Sequence, residues 1–284
     1  MLKKEIVGVF KTKRTWIFIF IMIMIIFVDL CMVCNQENVW DKRENKEQIF
    51  ENDLKMKELS EKEDVITVSD WIIHPAKASY LSGSSRGHLT QMLLIWLTPL
   101  FVLNLVSDRS VLEYRKGYTN ALLARIGRIK YITGKLLSSF IIPFVVFFIS
   151  LLLNFVAAQI IFKDGYNFQG MEVFAEQGGW FRVMYEKPDM VYLCYILLTS
   201  VIAGFCGVIS QCLALLSKNY VVTYLIAFFL WMGLVMGKYS IIYLIQPFTE
   251  YGIDYMLCAG GIVSAVTVLF LAVIYVLKVK EDEL

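Results

Sequence analysis

The chain has 284 residues, 58% of them AVILMFWYC and 18% charged, with a mean hydropathy of +0.62. A soluble domain is about half apolar and a quarter charged, so this balance excludes an ordinary soluble enzyme, a disordered chain and a disulfide scaffold. The net charge of +2 is too small to point to nucleic acid as a partner.

Residues 1–14, MLKKEIVGVFKTKR, place Leu2, Ile6, Val9 and Phe10 on one helical face, with Lys3, Lys4, Lys11 and Lys13 mainly on the others. Such a helix lies in the interface plane with its cations near anionic lipid, an amphipathic elbow before the first span. A spanning helix needs roughly 20 apolar residues to cross a hydrocarbon core of about 30 Å. Six stretches qualify: 15–34, 90–106, 131–162, 191–216, 221–236 and 256–277, the second and fifth short enough to need a turn from their flanks. No small-residue cleavage site follows the first, which reads as an uncleaved span.

Between the first two spans, residues 35–89 begin with charged helix formers in which Ile49, Phe50, Leu54 and Leu59 recur at loosely helical spacing. Pro75, Gly83 and Gly87 interrupt the second half, so the segment reads as a small helical cap followed by a loop. The piece 107–130 sets Leu112, Leu122, Leu123, Ile126 and Ile129 among Arg109, Arg115, Lys116, Arg125, Arg128 and Lys130. That pattern predicts two short amphipathic helices broken near Gly117. Residues 163–190, with Gly165, Gly170, Gly178, Gly179 and Pro188, predict irregular chain. Residues 237–255 predict a short interfacial helix over 239–248, and 278–284 form a tail.

Orientation follows from the cations. With the N-terminus inside, the inner pieces together with Lys135 at the inner end of the third span carry 15 Lys and Arg against six acids, and the outer pieces carry 12 against 18. The expectation is an all-α membrane protein of six spans in the cell membrane, both termini cytosolic, with an extracellular cap.

Three features resemble the permease subunits of ABC-2 type transporters: the basic amphipathic start, the six-span count and, most specifically, the inner loop. There Asp108, Glu113 with Gly117 four residues on, Arg125 and Arg128, then Gly134-Lys135 echo the family's loop. The chain departs from the pattern at Ile126-Gly127, where many members have a proline, and at Tyr118, where a threonine is common. The resemblance implies an exporter subunit opening by an alternating or lateral route. Its 107–130 loop would be the coupling helix, docking through Glu113, Gly117, Leu122, Arg125, Ile126 and Arg128 into a separate ATPase. It also implies two ATPase subunits that bind ATP and Mg, a second permease subunit as homo- or heterodimer, and a peptide, lipid or drug-like cargo, a peptide antibiotic first. No G-x-x-x-x-G-K-[ST] occurs in the chain, so it carries no nucleotide site of that kind and no cofactor of its own is expected.

Other chemistry finds less support. Residues 83–87 match G-x-S-x-G literally, yet the only histidines are His74 and His88, and neither lies beyond the serine and downstream of an adequately separated acid, as a hydrolase triad requires. Cysteines at 31, 34, 194, 206, 212 and 258 with two histidines do not space as a metal ligand set, and Cys31-x-x-Cys34 reads as packing. Asp29, the one acid inside a span, either lines a pathway or is wetted at the outer rim. Ala203, Gly204 and Gly207, and Gly260, Gly261 and Ser264, read as sites of close helix packing. A membrane sensor or immunity protein and an ion-driven carrier are the competing functions.

Overall fold

The computed structural model describes residues 2–45, 47–48, 51, 72–82, 89–165, 168, 176–249 and 251–279. The cap's apolar positions Ile49, Phe50, Leu54 and Leu59, the run 83–87, His88, most of 166–175 and residues 280–284 lie outside them. Every regular element among the described residues is helical.

Helix α1 (Leu2–Phe10) turns sharply into α2 (Lys13–Gln36). The Thr12 hydroxyl donates to the Val9 carbonyl at 2.6 Å and the Trp16 indole N–H to that of Phe10 at 2.8 Å, which ties the elbow. After α3 (Val39–Glu44), whose Arg43 pairs with Asp164 at 3.4 Å, the chain returns at residue 72. There α4 (Pro75–Ala78) and a 3-10 turn (Tyr80–Ser82) dip into the bundle, with Ala76, Ala78, Tyr80 and Leu81 all buried. The expected loop is thus a plug, because its small and aromatic side chains fill the space between α2 and the later spans.

Helix α5 (Leu89–Val102), a π-helical turn (Leu103–Ser107) and α6 (Asp108–Arg115) form one continuous rod rather than a span and a separate loop. The wider turn shifts the helical phase where the sequence changes from apolar to charged. Next come α7 (Tyr118–Ile126), α8 (Arg128–Ile161), α9 (Gly179–Glu186) and α10 (Pro188–Ser217). Helices α11 (Tyr220–Met236), α12 (Ile242–Ile245) and α13 (Ile253–Ile274) complete the chain, the last running into a π-helical turn.

Five helices are long and apolar enough to cross a membrane: α2, the rod from Thr90 to Arg115, α8, α10, and Ile253–Lys278. Six were expected. The sixth candidate, α11, has 17 residues, about 25 Å at 1.5 Å per residue, short of a core of about 30 Å. The expected helix over 239–248 is also shorter and holds only the four residues of α12.

Helix α10 is central, packing on α8, α11 and α13. Two prolines shape these contacts, because each lacks the N–H that would satisfy the carbonyl four residues back. Pro99 frees the Ile95 carbonyl, which accepts the Trp231 indole N–H of α11 at 2.8 Å. Pro143 frees that of Ser139, and Gly207 of α10 lies against it: a Cβ there would sit 2.0 Å from the oxygen. Gly204 faces the Phe140 ring, where a Cβ would sit 2.7 Å from its edge. The span-six glycines differ from expectation: a Cβ on Gly260 would meet only Leu244 at 3.8 Å, and one on Gly261 nothing within 4 Å.

Candidate functional site

Helix α6 stands where the elbow and the ends of several spans converge. Its first residue, Asp108, is capped by Arg14 of α2 at 2.8 Å and accepts the Tyr224 hydroxyl of α11 at 2.8 Å. One residue on, Arg109 pairs with Glu5 of α1 at 3.6 Å and with Glu113, a turn ahead, at 3.0 Å. Ser110 accepts from the Gln211 amide of α10 at 2.8 Å. Glu113 then reaches Lys135 of α8 at 2.7 Å, and the same ammonium holds Glu5 at 3.0 Å. Through these contacts one eight-residue helix is bonded to α1, α2, α8, α10 and α11.

Lys135 is only 3% exposed. A buried ammonium is tolerable because two carboxylates face it, and each carboxylate is shared with Arg109. Gly8 leaves room for this pairing: a Cβ on it would overlap the Arg109 guanidinium, so a larger residue would require that side chain to swing away from Glu5 and Glu113.

Past this root the chain projects as a hairpin. Gly117 breaks it in the left-handed region (φ 72°), donating its N–H to the Tyr114 carbonyl at 3.0 Å. A residue with a Cβ adopts that conformation at a cost, so glycine sets the angle between α6 and α7. Leu122 and Leu123 turn inward against the cluster of Tyr131, Ile132, Val208, Cys212 and Ile274. Ile126 is half-buried, while Arg125 is exposed and Tyr118 is 60% exposed. Arg115 lies over the Tyr220 ring at 4.7 Å and Lys218 over that of Tyr114 at 4.4 Å. Arg128, at the foot of α8, lines a small cavity of ≈160 Å³ together with Lys218 and Lys278.

Of the residues singled out from sequence, Gly117 and Arg125 therefore sit on the projecting hairpin. Leu122 packs inward, and Glu113 belongs to the buried root. The partners that sequence reasoning passed over are Glu5, Arg109 and Gln211. Lys135 itself carried the signal, since a cation that opens a long, uncharged, mainly apolar run demands an acid close by.

At the opposite end of the bundle, Asp29 is 0% exposed and accepts the Thr90 hydroxyl, so the wetted-rim reading does not describe its position. The plug beside it is held by hydrogen bonds of its own. Tyr80 donates its hydroxyl to the Thr90 carbonyl at 2.7 Å and its N–H to Asn154 at 3.0 Å, while the Tyr192 hydroxyl accepts the Leu81 N–H at 3.0 Å. His74 opens the plug, its Nδ1 accepting the Ala76 N–H at 3.2 Å. Burial pushes that imidazole below its ordinary pKa, an effect Asp189 partly opposes. Among the described residues no group of three or more His, Cys, Asp or Glu is placed to hold a metal.

An all-helical chain with five helices able to cross a membrane is compatible with a multi-pass membrane protein. It is 34% identical over 185 residues to the uncharacterized protein YybM of Bacillus subtilis (strain 168), an alignment covering 65% of this chain and 74% of that protein. The chain belongs to the YybM family. No family model matches it. No solved structure matches it.

Proposed function

We propose that this chain is the membrane subunit of an ATP-driven exporter of the ABC-2 type, and that the α6–α7 hairpin is the lever through which a separate ATPase moves the spans. The observation that carries this reading is the root of α6. A cytosolic motor needs a rigid handle joined to several spans at once, and α6 is bonded to α1, α2, α8, α10 and α11. Beyond the root, Tyr118 and Arg125 are exposed and suited to a groove lined with carboxylates. The charge asymmetry supports a cytosolic location for this end and for both termini, with α11 crossing as a sixth span with help from its flanks. Two ATPases carrying ATP and Mg and a second membrane subunit would complete the pore. Its cargo is a peptide, lipid or drug-like molecule, peptide antibiotics first.

The hairpin assigns separate tasks to the loop residues. Glu113 holds the lever to α8, Leu122 and Leu123 keep α7 against the bundle, Gly117 sets the angle, and Arg125, with half-buried Ile126 beside it, meets the ATPase. Tagged full-length chain, extracted from its native membrane, should bring down an ATPase with a G-x-x-x-x-G-K-[ST] motif. The exposed-face double variant Tyr118→Asp/Arg125→Glu should lose it while keeping normal abundance. Equal recovery by both proteins would refute the docking surface.

A second reading, an ion-driven carrier, draws on Asp29, a fully buried carboxylate among hydroxyl groups. Export that persists after ATP depletion but collapses with the proton gradient would select it.

A further inference from the structure

Where α1 ends, α2 begins and α6 turns its outer side, the fold leaves an open cavity of ≈540 Å³. Four cations line it: Lys11, Arg14, Arg109 and Lys116. Its two acids are already engaged, Asp108 by Arg14 at 2.8 Å and Glu113 by Lys135 at 2.7 Å and Arg109 at 3.0 Å. With Glu5 behind them, three carboxylates face three cations. Lys11 and Lys116, both exposed, make no ion pair with any described residue, so the surplus positive charge is theirs.

The depth of the cavity in the bundle narrows the ligand. It opens where α2 starts, where the π-helical turn of the second rod ends, and where Tyr220 starts α11. Ends of spanning helices mark the headgroup layer. One wall is apolar, formed by buried Val9 and Leu105 and by Leu112, which is 43% exposed. Cations around a pocket with one greasy wall suit a phosphate that carries hydrocarbon.

We propose that this cavity binds a phosphate-bearing anion, and specifically the phosphodiester headgroup of an anionic phospholipid wedged between the elbow and α6. Lys11 and Lys116 meet the phosphate from either side of the mouth, and Leu112 meets the first carbons of the chains. A zwitterionic lipid fits less well, since its own ammonium competes for the phosphate. Bound there, the lipid bridges α1 to α6 and stiffens the root of the hairpin. This holds whether or not an ATPase docks beyond it.

The test uses the full chain in nanodiscs of equal phosphatidylglycerol and phosphatidylcholine, extracted gently and weighed by native mass spectrometry with its retained lipids. Wild-type chain should keep phosphatidylglycerol in preference to phosphatidylcholine, and Lys11→Gln/Lys116→Gln should lower that preference by about tenfold. A control pair at the other end, Lys163→Gln/Lys187→Gln, removes the same charge and should leave it intact. Displacement of the lipid by inorganic phosphate, and not by chloride at equal ionic strength, would confirm the phosphate site and assign it to a free anion. Three results overturn the proposal: no preference in wild type, the same loss in both pairs, or retention of lipid by the cavity variant with loss of a protein partner instead.

Discussion

Replacing Lys135 with methionine removes one ammonium and keeps most of the stem. Its Nζ lies 3.0 Å from Glu5 and 2.7 Å from Glu113, so the change leaves two carboxylates at the root of α6 with Arg109 as their remaining cation. Taking one partner from a buried ionic cluster costs about 3–5 kcal/mol. Arg109 is about one-third exposed and compensates in part, so a loss of roughly 2–3 kcal/mol is expected here. Acting on the local opening of the hairpin, that is roughly a 30- to 150-fold rise in its detached population. Limited trypsin digestion of the purified chain reads this directly, because Arg115, Lys116 and Arg125 flank the turn and cleavage follows the open population when reclosing is fast. The variant Glu5→Gln/Glu113→Gln/Lys135→Met removes the charge imbalance and should recover most of the protection. A Lys135→Met chain cut no faster than wild type, or a triple variant cut as fast as the single, would refute the ionic root.

Gly207→Ala places a methyl 2.0 Å from the Ser139 carbonyl, and backbone cannot swing aside, so it should cost about 1–3 kcal/mol despite the better helix propensity of alanine. Gly233→Ala in α11 meets nothing within 4 Å and should be neutral or stabilising by up to about 1 kcal/mol; reversed signs in detergent unfolding would contradict the α8–α10 contact. For His74, whose folded pKa lies below its unfolded value near 6.5, the stabilisation is complete above that value. It is lost as pH falls toward the depressed one, because burial disfavours the charged ring, and a protonated Nδ1 in addition cannot accept the Ala76 N–H. Wild type should therefore lose more stability on acidification through this window than His74→Asn; parallel curves would exclude the histidine. Asp29→Asn keeps an acceptor for Thr90 while removing the ionisable group, so transport should change at normal protein abundance, and an unchanged rate would assign Asp29 to packing alone.

The helical class, the long apolar elements and the break at Gly117 are legible because each is local: apolar run length, amphipathic spacing and a single glycine decide them. The continuity of α5 into α6 is not, since the π-helical turn is needed to bring Asp108 and Arg109 round to Arg14 and Glu5. Nor is the plug, whose residues 75–82 look like a loop until α2 and α8 close over Tyr80. For the hairpin, spacing indicated which face of α7 is apolar but not whether it looks toward a partner or back at Tyr131 and Ile132. The glycines show the same limit. Gly207 and Gly261 look alike in sequence, and only the Ser139 carbonyl and Pro143 ring of the neighbouring helix make the first a contact.

The proposed lever role of the hairpin is tested most directly by a photo-crosslinking amino acid at Tyr118, irradiated in native membranes, with Trp40 in α3, just past the far end of α2, as the control position. The two side chains are similarly exposed, 60% and 61%. Position 118 should crosslink to a polypeptide bearing a G-x-x-x-x-G-K-[ST] motif, and position 40 should not. Crosslinks from position 118 to lipid alone, or to the same proteins as position 40, would contradict the lever.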